Sequence, residues 1–172
     1  MTNVLVTGRR GAGKSTVIRE ALRAFGRPAG GFLTERARCT RGTRVVMRDI
    51  LTGLQATVAE TGPGGTRRVY PRAFEEVGVS ALERARLRAE VVVMDELGFL
   101  ELGSPVFMEA VLSALDGDKP VLAAVRNRRM PRGGKNPFLL QVRSRSTSVY
   151  RVTRFNRGRL AARVACALQT AG

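Results

Sequence analysis

Eight residues, Gly8-Arg9-Arg10-Gly11-Ala12-Gly13-Lys14-Ser15, stand between an apolar run at Asn3 to Thr7 and an amphipathic stretch from Lys14 to Phe25. They fill every fixed position of G-x-x-x-x-G-K-[ST], and strand-like and helix-like periodicities fall on the correct sides of them. Glycines let such a backbone wrap until successive N–H groups point inward, and the helix that follows adds the partial positive charge of its N-terminus. The segment therefore reads as a P-loop, with Gly8, Arg9, Arg10, Gly11, Ala12 and Gly13 expected around the phosphates of a nucleotide. Lys14 would reach the β/γ oxygens, the Ser15 hydroxyl would ligate Mg²⁺, and Thr16 would support the same phosphate end. The chain has three lysines, and one is Lys14. There a compact ammonium on a flexible stem suits phosphate better than a planar guanidinium does.

The order of elements follows from hydrophobic patterning. A strand at Asn3 to Thr7 and a helix from Lys14 to Phe25, ended by Gly26 and Pro28, precede three extended stretches near Gly31 to Ala37, Arg44 to Leu51 and Leu54 to Ala59. These are expected to form a small antiparallel ribbon. Glu60 to Thr66 has the composition of a flexible loop, and a helix is expected from Ala73 to Arg88, with Phe74, Val77, Leu82 and Leu87 as its apolar residues. Strands at Val91 to Met94, Pro120 to Val125 and Val149 to Val152 then alternate with helices at Pro105 to Leu115, Pro137 to Val142 and Arg157 to Leu168. Continuous apolar strands alternating with helices predict a three-layer α/β fold, mainly a parallel sheet with helices on both faces, interrupted by the ribbon. Residues 1–172 are expected to form one domain.

The second chemical element is Val91-Val92-Val93-Met94-Asp95-Glu96, an apolar strand ending in two carboxylates. Alone, it reads equally well as an acidic turn after a core strand. Beside a P-loop, where this strand is expected to neighbour the first one, Asp95 would face Mg²⁺ through water and Glu96 would polarise the attacking water. Lys14 and Glu96 are thus the catalytic candidates, and Ser15 and Asp95 the metal ligands. Phosphoryl transfer also needs positive charge around the γ-phosphate. Arg126, Arg128, Arg129 and Arg132 form an arginine-rich loop, and Arg157 opens the last helix. Of these, Arg128 and Arg157 are named as candidates.

Composition removes several other chemistries. There is no histidine, and Cys39 and Cys166 lie far apart, which excludes the usual Cys/His zinc sites and His-dependent triads and leaves the cysteines reduced and structural. No apolar run approaches the roughly 20 residues of a membrane helix, and the N-terminus lacks the pattern of a secretory signal, so a soluble, cytoplasmic monomer is expected. The formal charge of +16 draws attention to nucleic acid, but 27 of the 30 basic residues are arginines spread along the whole chain, with no Trp and two Tyr. A solvated arginine-rich surface explains this better than a base-stacking platform; weak, non-specific nucleic-acid binding through net charge stays open.

Three stretches of the chain resemble the small nucleoside-triphosphatase family first described from thermophiles, whose relatives include a human cancer-related nucleoside-triphosphatase. Asp95-Glu96-Leu97-Gly98-Phe99-Leu100-Glu101-Leu102-Gly103-Ser104 with Phe107 is similar to its D-E-[IL]-G-x-M-E-L-x-S-x-x-F signature. Gly31-Phe32-Leu33-Thr34 with Arg38 resembles G-F-x-T-x-E-V-R, and Val152-Thr153-Arg154-Phe155-Asn156-Arg157 with Leu160 resembles V-T-x-x-N-R-x-x-L. Arg10 and Arg36 depart from it, where the family often has Pro and Glu. The resemblance implies a P-loop fold and Mg²⁺-dependent hydrolysis of ATP, GTP and other nucleoside triphosphates to diphosphate and phosphate. It also implies nucleotide contacts from Gly8 to Ser15, from Asp95, Glu96 and Gly98, and from Asn156 and Arg157. Two alternatives use the same loop: a kinase passing the γ-phosphate to a small acceptor, and a nucleic-acid-stimulated ATPase.

Overall fold

The computed structural model describes residues 2–40, 42–98, 100–126, 134 and 136–169. Its strands are Asn3–Thr7 (β1), Ala29–Cys39 (β2), Gly42–Asp49 (β3), Gln55–Thr61 (β4), Arg67–Val69 (β5), Val91–Leu97 (β6), Val121–Val125 (β7) and Ser148–Arg151 (β8). Its helices are Lys14–Phe25 (α1), Pro71–Ala73 (α2), Ser80–Arg88 (α3), Pro105–Leu115 (α4), Pro137–Ser144 (α5) and Arg157–Gln169 (α6). All eight strands belong to one sheet, ordered β5-β4-β3-β2-β6-β7-β1-β8. Neighbours from β2 to β8 pair in parallel, while β2, β3, β4 and β5 pair antiparallel as the ribbon. The expected α/β architecture with helices on both faces is what forms.

Side-chain alternation assigns the faces. Val4, Val6, Val91, Val93, Leu122 and Ala124 pack with α1 and α6 in one core cluster. Leu5, Val92, Met94, Val121, Ala123 and Val125 pack in the other, with residues of α3, α4 and α5. Strands covered on both faces have no polar side to show, so they read as unbroken apolar runs.

Several expectations are corrected. β6 does not neighbour β1; β7 lies between them and pairs with both. A crossover through α4 returns the chain to the edge of β6, and β1 then pairs on the far side of β7, an order that apolar runs do not encode. The segment from Glu60 to Thr66 is not a loop throughout. β4 continues to Thr61, a single turn of 3₁₀ helix spans Pro63–Gly65, and the unforeseen strand β5 closes the hairpin through Thr61↔Arg67. Gly, Pro and Thr serve a tight hairpin turn as readily as a loop. The helix expected from Ala73 begins at Pro71 and passes through a π-helical stretch, Phe74–Val79, before α3. Leu87 is 81% exposed and not part of the core. Cys39 and Cys166 are both exposed, so neither serves as core packing.

The π-helical stretch rests against an aromatic cluster. The Phe107 ring lies 5.5 Å from that of Phe32 and 5.2 Å from that of Phe74, with all three buried. Gly78 leaves room for it: a Cβ there would stand 2.5 Å from Phe107 Cε2. Ser104 caps α4 by accepting from the Phe107 N–H, and its hydroxyl donates to Glu75, tying α4 to the π-helical stretch. Phe107→Ala should cost about 3–5 kcal/mol of stability through the cavity it opens, read as a lower urea midpoint with little change in slope.

Candidate active site

The C-terminal ends of the parallel strands gather the chemistry. Between β1 and α1 the loop turns at Gly13, whose left-handed backbone (φ 100°) starts the helix without a side-chain cap. A Cβ at Gly13 would meet Arg157 Cδ at 3.3 Å, and one at Gly8 would lie 2.6 Å from the Val152 carbonyl oxygen. Glycine at Gly8 lets the residue after β8 close against the loop, and glycine at Gly13 permits the left-handed backbone there. Ala12 is buried in the α1–α6 core, whereas Arg9 and Arg10 are exposed. Arg10 lines the cavity above the loop; Arg9 is not among the lining residues.

Lys14 is buried, and its Nζ lies 3.4 Å from the Gly8 carbonyl oxygen and 3.3 Å from Glu96 Oε1. The same carboxylate oxygen accepts from Arg126 Nε at 3.0 Å. A local irregularity brings Glu96 to this position. Regular alternation would turn Asp95 and Glu96 to opposite faces, but the β6–β7 register shifts between Asp95 and Leu97. Leu97 consequently joins Met94 and Val92 in the same core cluster, and Glu96 is left unpaired at the bulge, meeting Lys14.

Asp95 keeps the parity of Val91 and Val93 and faces α1, where it accepts a hydrogen bond from the Ser15 hydroxyl. It is 2% exposed. Burial raises its pKa to about 6, partly offset by the Ser15 bond, and neighbouring Glu96 adds to the rise. Its Oδ1 has no hydrogen-bond partner among the described residues. A buried, unsatisfied carboxylate oxygen beside a serine hydroxyl and a phosphate-binding loop is a hard-oxygen set of the kind Mg²⁺ takes when substrate phosphates and water complete its shell.

A cavity of about 720 Å³ opens over these groups, with Lys14, Ser15, Thr16 and Glu96 among its walls. Gly98 lines it too; its N–H donates to Glu101 Oε2 at 3.0 Å and its carbonyl accepts from Asn136 Nδ2 at 2.9 Å. Arg157 reaches the cavity. Asn156 is absent from the lining: its Oδ1 accepts from the Thr153 N–H and its Nδ2 donates to the Arg151 carbonyl, shaping the turn before α6. Arg128, Arg129, Arg132 and signature residue Phe99 lie outside the described residues.

Sequence reading missed several participants. Asn136 caps α5 through the N–H groups of Phe138 and Leu139 while holding Gly98; the Asn-Pro pair before an apolar run was its legible signal. Thr34, Glu35, Arg36, Val45, Val58 and Phe74 bring the ribbon and the π-helical stretch to the same cavity. No motif spacing announces them, because the ribbon folds them back from distant positions.

Glu101 is fully buried at this site, which raises its pKa to about 7; the Gly98 N–H opposes the rise and Glu96 reinforces it. The folded chain thus holds a proton that the unfolded chain releases near 4.5. That contribution to stability is complete below the unfolded value and is lost as pH rises through the folded one. Glu101→Gln should match the parent near about pH 4 and unfold at a higher temperature than the parent above about pH 7. Calorimetry across that window checks this, and identical pH dependence in both chains would mean that Glu101 is ionised in the fold.

Comparisons with known proteins agree with the geometry. The family model described as NTPase matches residues 3–165. The nucleoside-triphosphatase THEP1 of Thermofilum pendens is 44% identical over 141 residues, covering 76% of this chain and 77% of that protein. The protein of the same name from Thermotoga maritima is 32% identical over 151 residues, covering 85% and 83%. Among solved structures, THEP1 from the hyperthermophile Aquifex aeolicus superposes with a TM-score of 0.79 at 25% identity, covering 98% of this chain and 99% of that one. A human cancer-related nucleoside triphosphatase superposes with a TM-score of 0.77 at 28% identity over the whole of both chains. With its P-loop, its acidic strand end and a matched family model spanning nearly its full length, this chain belongs to the NTPase family.

Proposed function

We propose that this chain hydrolyses nucleoside triphosphates, ATP and GTP among them, to nucleoside diphosphate and phosphate, with Mg²⁺ bound beside the P-loop. The observation that carries this reading is the meeting of Lys14 and Glu96 at 3.3 Å over a phosphate-binding loop, in a chain of the NTPase family. Every group required comes from one chain, so a monomer suffices.

The backbone N–H groups of the loop receive the β-phosphate, aided by the α1 N-terminus. Triphosphate oxygens offer Lys14 stronger acceptors than the Gly8 carbonyl, which draws its ammonium away from Glu96. The Glu96 carboxylate, still held by Arg126, is then free to accept a proton from water aligned on the γ-phosphorus. Ser15 and Asp95 would hold the metal, which would supply positive charge to the triphosphate. Arg126 and Arg157, both lining the cavity, supply positive charge to it.

Phosphate-release assays with Mg²⁺ and each nucleoside triphosphate test these roles. Lys14→Ala should nearly abolish turnover, and unchanged hydrolysis would end this reading. Glu96→Gln should keep Mg²⁺-nucleotide affinity while losing about 10²- to 10⁴-fold in kcat. A normal rate in that variant would move the base elsewhere. Asp95→Asn should raise the Mg²⁺ concentration needed for half-maximal rate, with the nucleotide KM at saturating Mg²⁺ little changed.

A further inference from the structure

The cavity has two unlike walls. One consists of Arg10, Gly11, Gly13, Lys14, Ser15 and Thr16, and offers backbone N–H groups and cations. The other includes Thr34, Glu35, Arg36, Val45, Val58, Phe74 and Leu100, four of them apolar. Phosphate oxygens gain nothing from an apolar surface and lose hydration against it. At about 720 Å³ the cavity is within the size range of pockets that enclose an organic ligand.

The second wall has a definite structural origin. Thr34 and Arg36 alternate onto one face of β2, and Arg36 stands opposite Val45 in the β2–β3 register, which sets a guanidinium beside an apolar side chain. Phe74 enters where the π-helical stretch begins. Arg36 makes no salt bridge among the described residues. Its pKa is lowered by partial burial and by Arg126, Arg10 and Arg67, with Glu96 opposing them. Six cations line the cavity, Arg10, Lys14, Arg19, Arg36, Arg126 and Arg157, against the carboxylates of Glu35, Glu96 and Glu101. A triphosphate surrenders much of its negative charge to its magnesium, so it leaves part of this surplus unanswered.

The orientation of the nucleotide rests on the hydrolytic reading above. If Glu96 marks the γ end, the nucleoside leaves the loop in the opposite sense, past Gly8 and Gly13, where Val152 and Arg157 stand. The ribbon wall is then on the far side of the γ-phosphate and is not used by the nucleotide. We propose that this wall binds a second ligand alongside the nucleotide, a small organic anion whose phosphate or carboxylate meets Arg36 and whose apolar or aromatic body lies on the half-buried Val45 and Leu100, with the buried Val58 and Phe74 behind them.

Calorimetric titration of the full chain with phenyl phosphate, benzoate and inorganic phosphate tests this, with and without saturating Mg²⁺ and a non-hydrolysable β,γ-imido analogue of ATP. With the analogue bound, phenyl phosphate or benzoate should bind at least tenfold more tightly than inorganic phosphate. Whichever binds more tightly identifies the anion class. Arg36→Gln, at an exposed position, should weaken that binding at least tenfold, and Val45→Arg, at a half-buried one, should abolish it. Analogue affinity should stay within twofold of the parent in both variants. Organic anions that bind no better than inorganic phosphate, or unaltered binding in both variants, would overturn the proposal. So would a parallel loss of analogue affinity in Val45→Arg, which would assign the wall to the nucleotide's own base. Failure of the analogue to bind the unaltered chain would instead contradict the hydrolytic reading, and benzoate titrations of the parent and the two variants without analogue would still decide whether the ribbon wall binds an organic anion.

Discussion

Lys14 and Glu96 meet across the C-terminal edge of the sheet at 3.3 Å, and the charged side chains around the loop are arranged about that contact. Two features of the backbone make it possible. Glycines at the loop let the chain return close enough for Lys14 to be buried against the sheet, and the bulge at Glu96 breaks the strand alternation that would have turned this carboxylate toward the other face. Arg126, the first residue after β7, completes the arrangement. Because β7 lies between β1 and β6, it positions the arginine between the strand that leads into the loop and the strand that carries the carboxylates.

Burial then gives the three acidic side chains different characters. Glu96 is partly exposed and held between two cations; Asp95 and Glu101 are buried and raised to about 6 and about 7. Asp95 retains an oxygen without a hydrogen-bond partner among the described residues, while Glu101 accepts from the Gly98 backbone and braces the turn that follows β6. Neighbouring carboxylates in one sequence motif thereby take separate roles through their surroundings.

Much of this was legible in the sequence where short-range pattern decides it. The extents of β1, α1 and α4 follow from apolar periodicity and from Pro and Gly punctuation, and the P-loop from its own spacing. The pair Asp95-Glu96 stood out as two carboxylates at a strand end, although the bulge that directs Glu96 toward Lys14 was not legible, since a register shift depends on the partner strand. Strand order was misread for a related reason: Val4 to Val6 and Val91 to Met94 are equally apolar and carry no mark of which neighbour each will take. The ribbon wall was invisible for a third. Arg36, Val45 and Phe74 come together only after β2, β3 and the π-helical stretch have packed, and Arg36 reads in isolation as one more surface arginine in a chain of charge +16.

The central claim is that water, activated at Glu96, is the acceptor of the γ-phosphoryl group. Turnover of Mg²⁺–ATP by the unaltered protein in water enriched in the heavy oxygen isotope tests it most directly. One labelled oxygen should enter each phosphate released at the first turnover and none should enter the diphosphate. Label in the diphosphate, or no phosphate release until an organic acceptor is added, would contradict it.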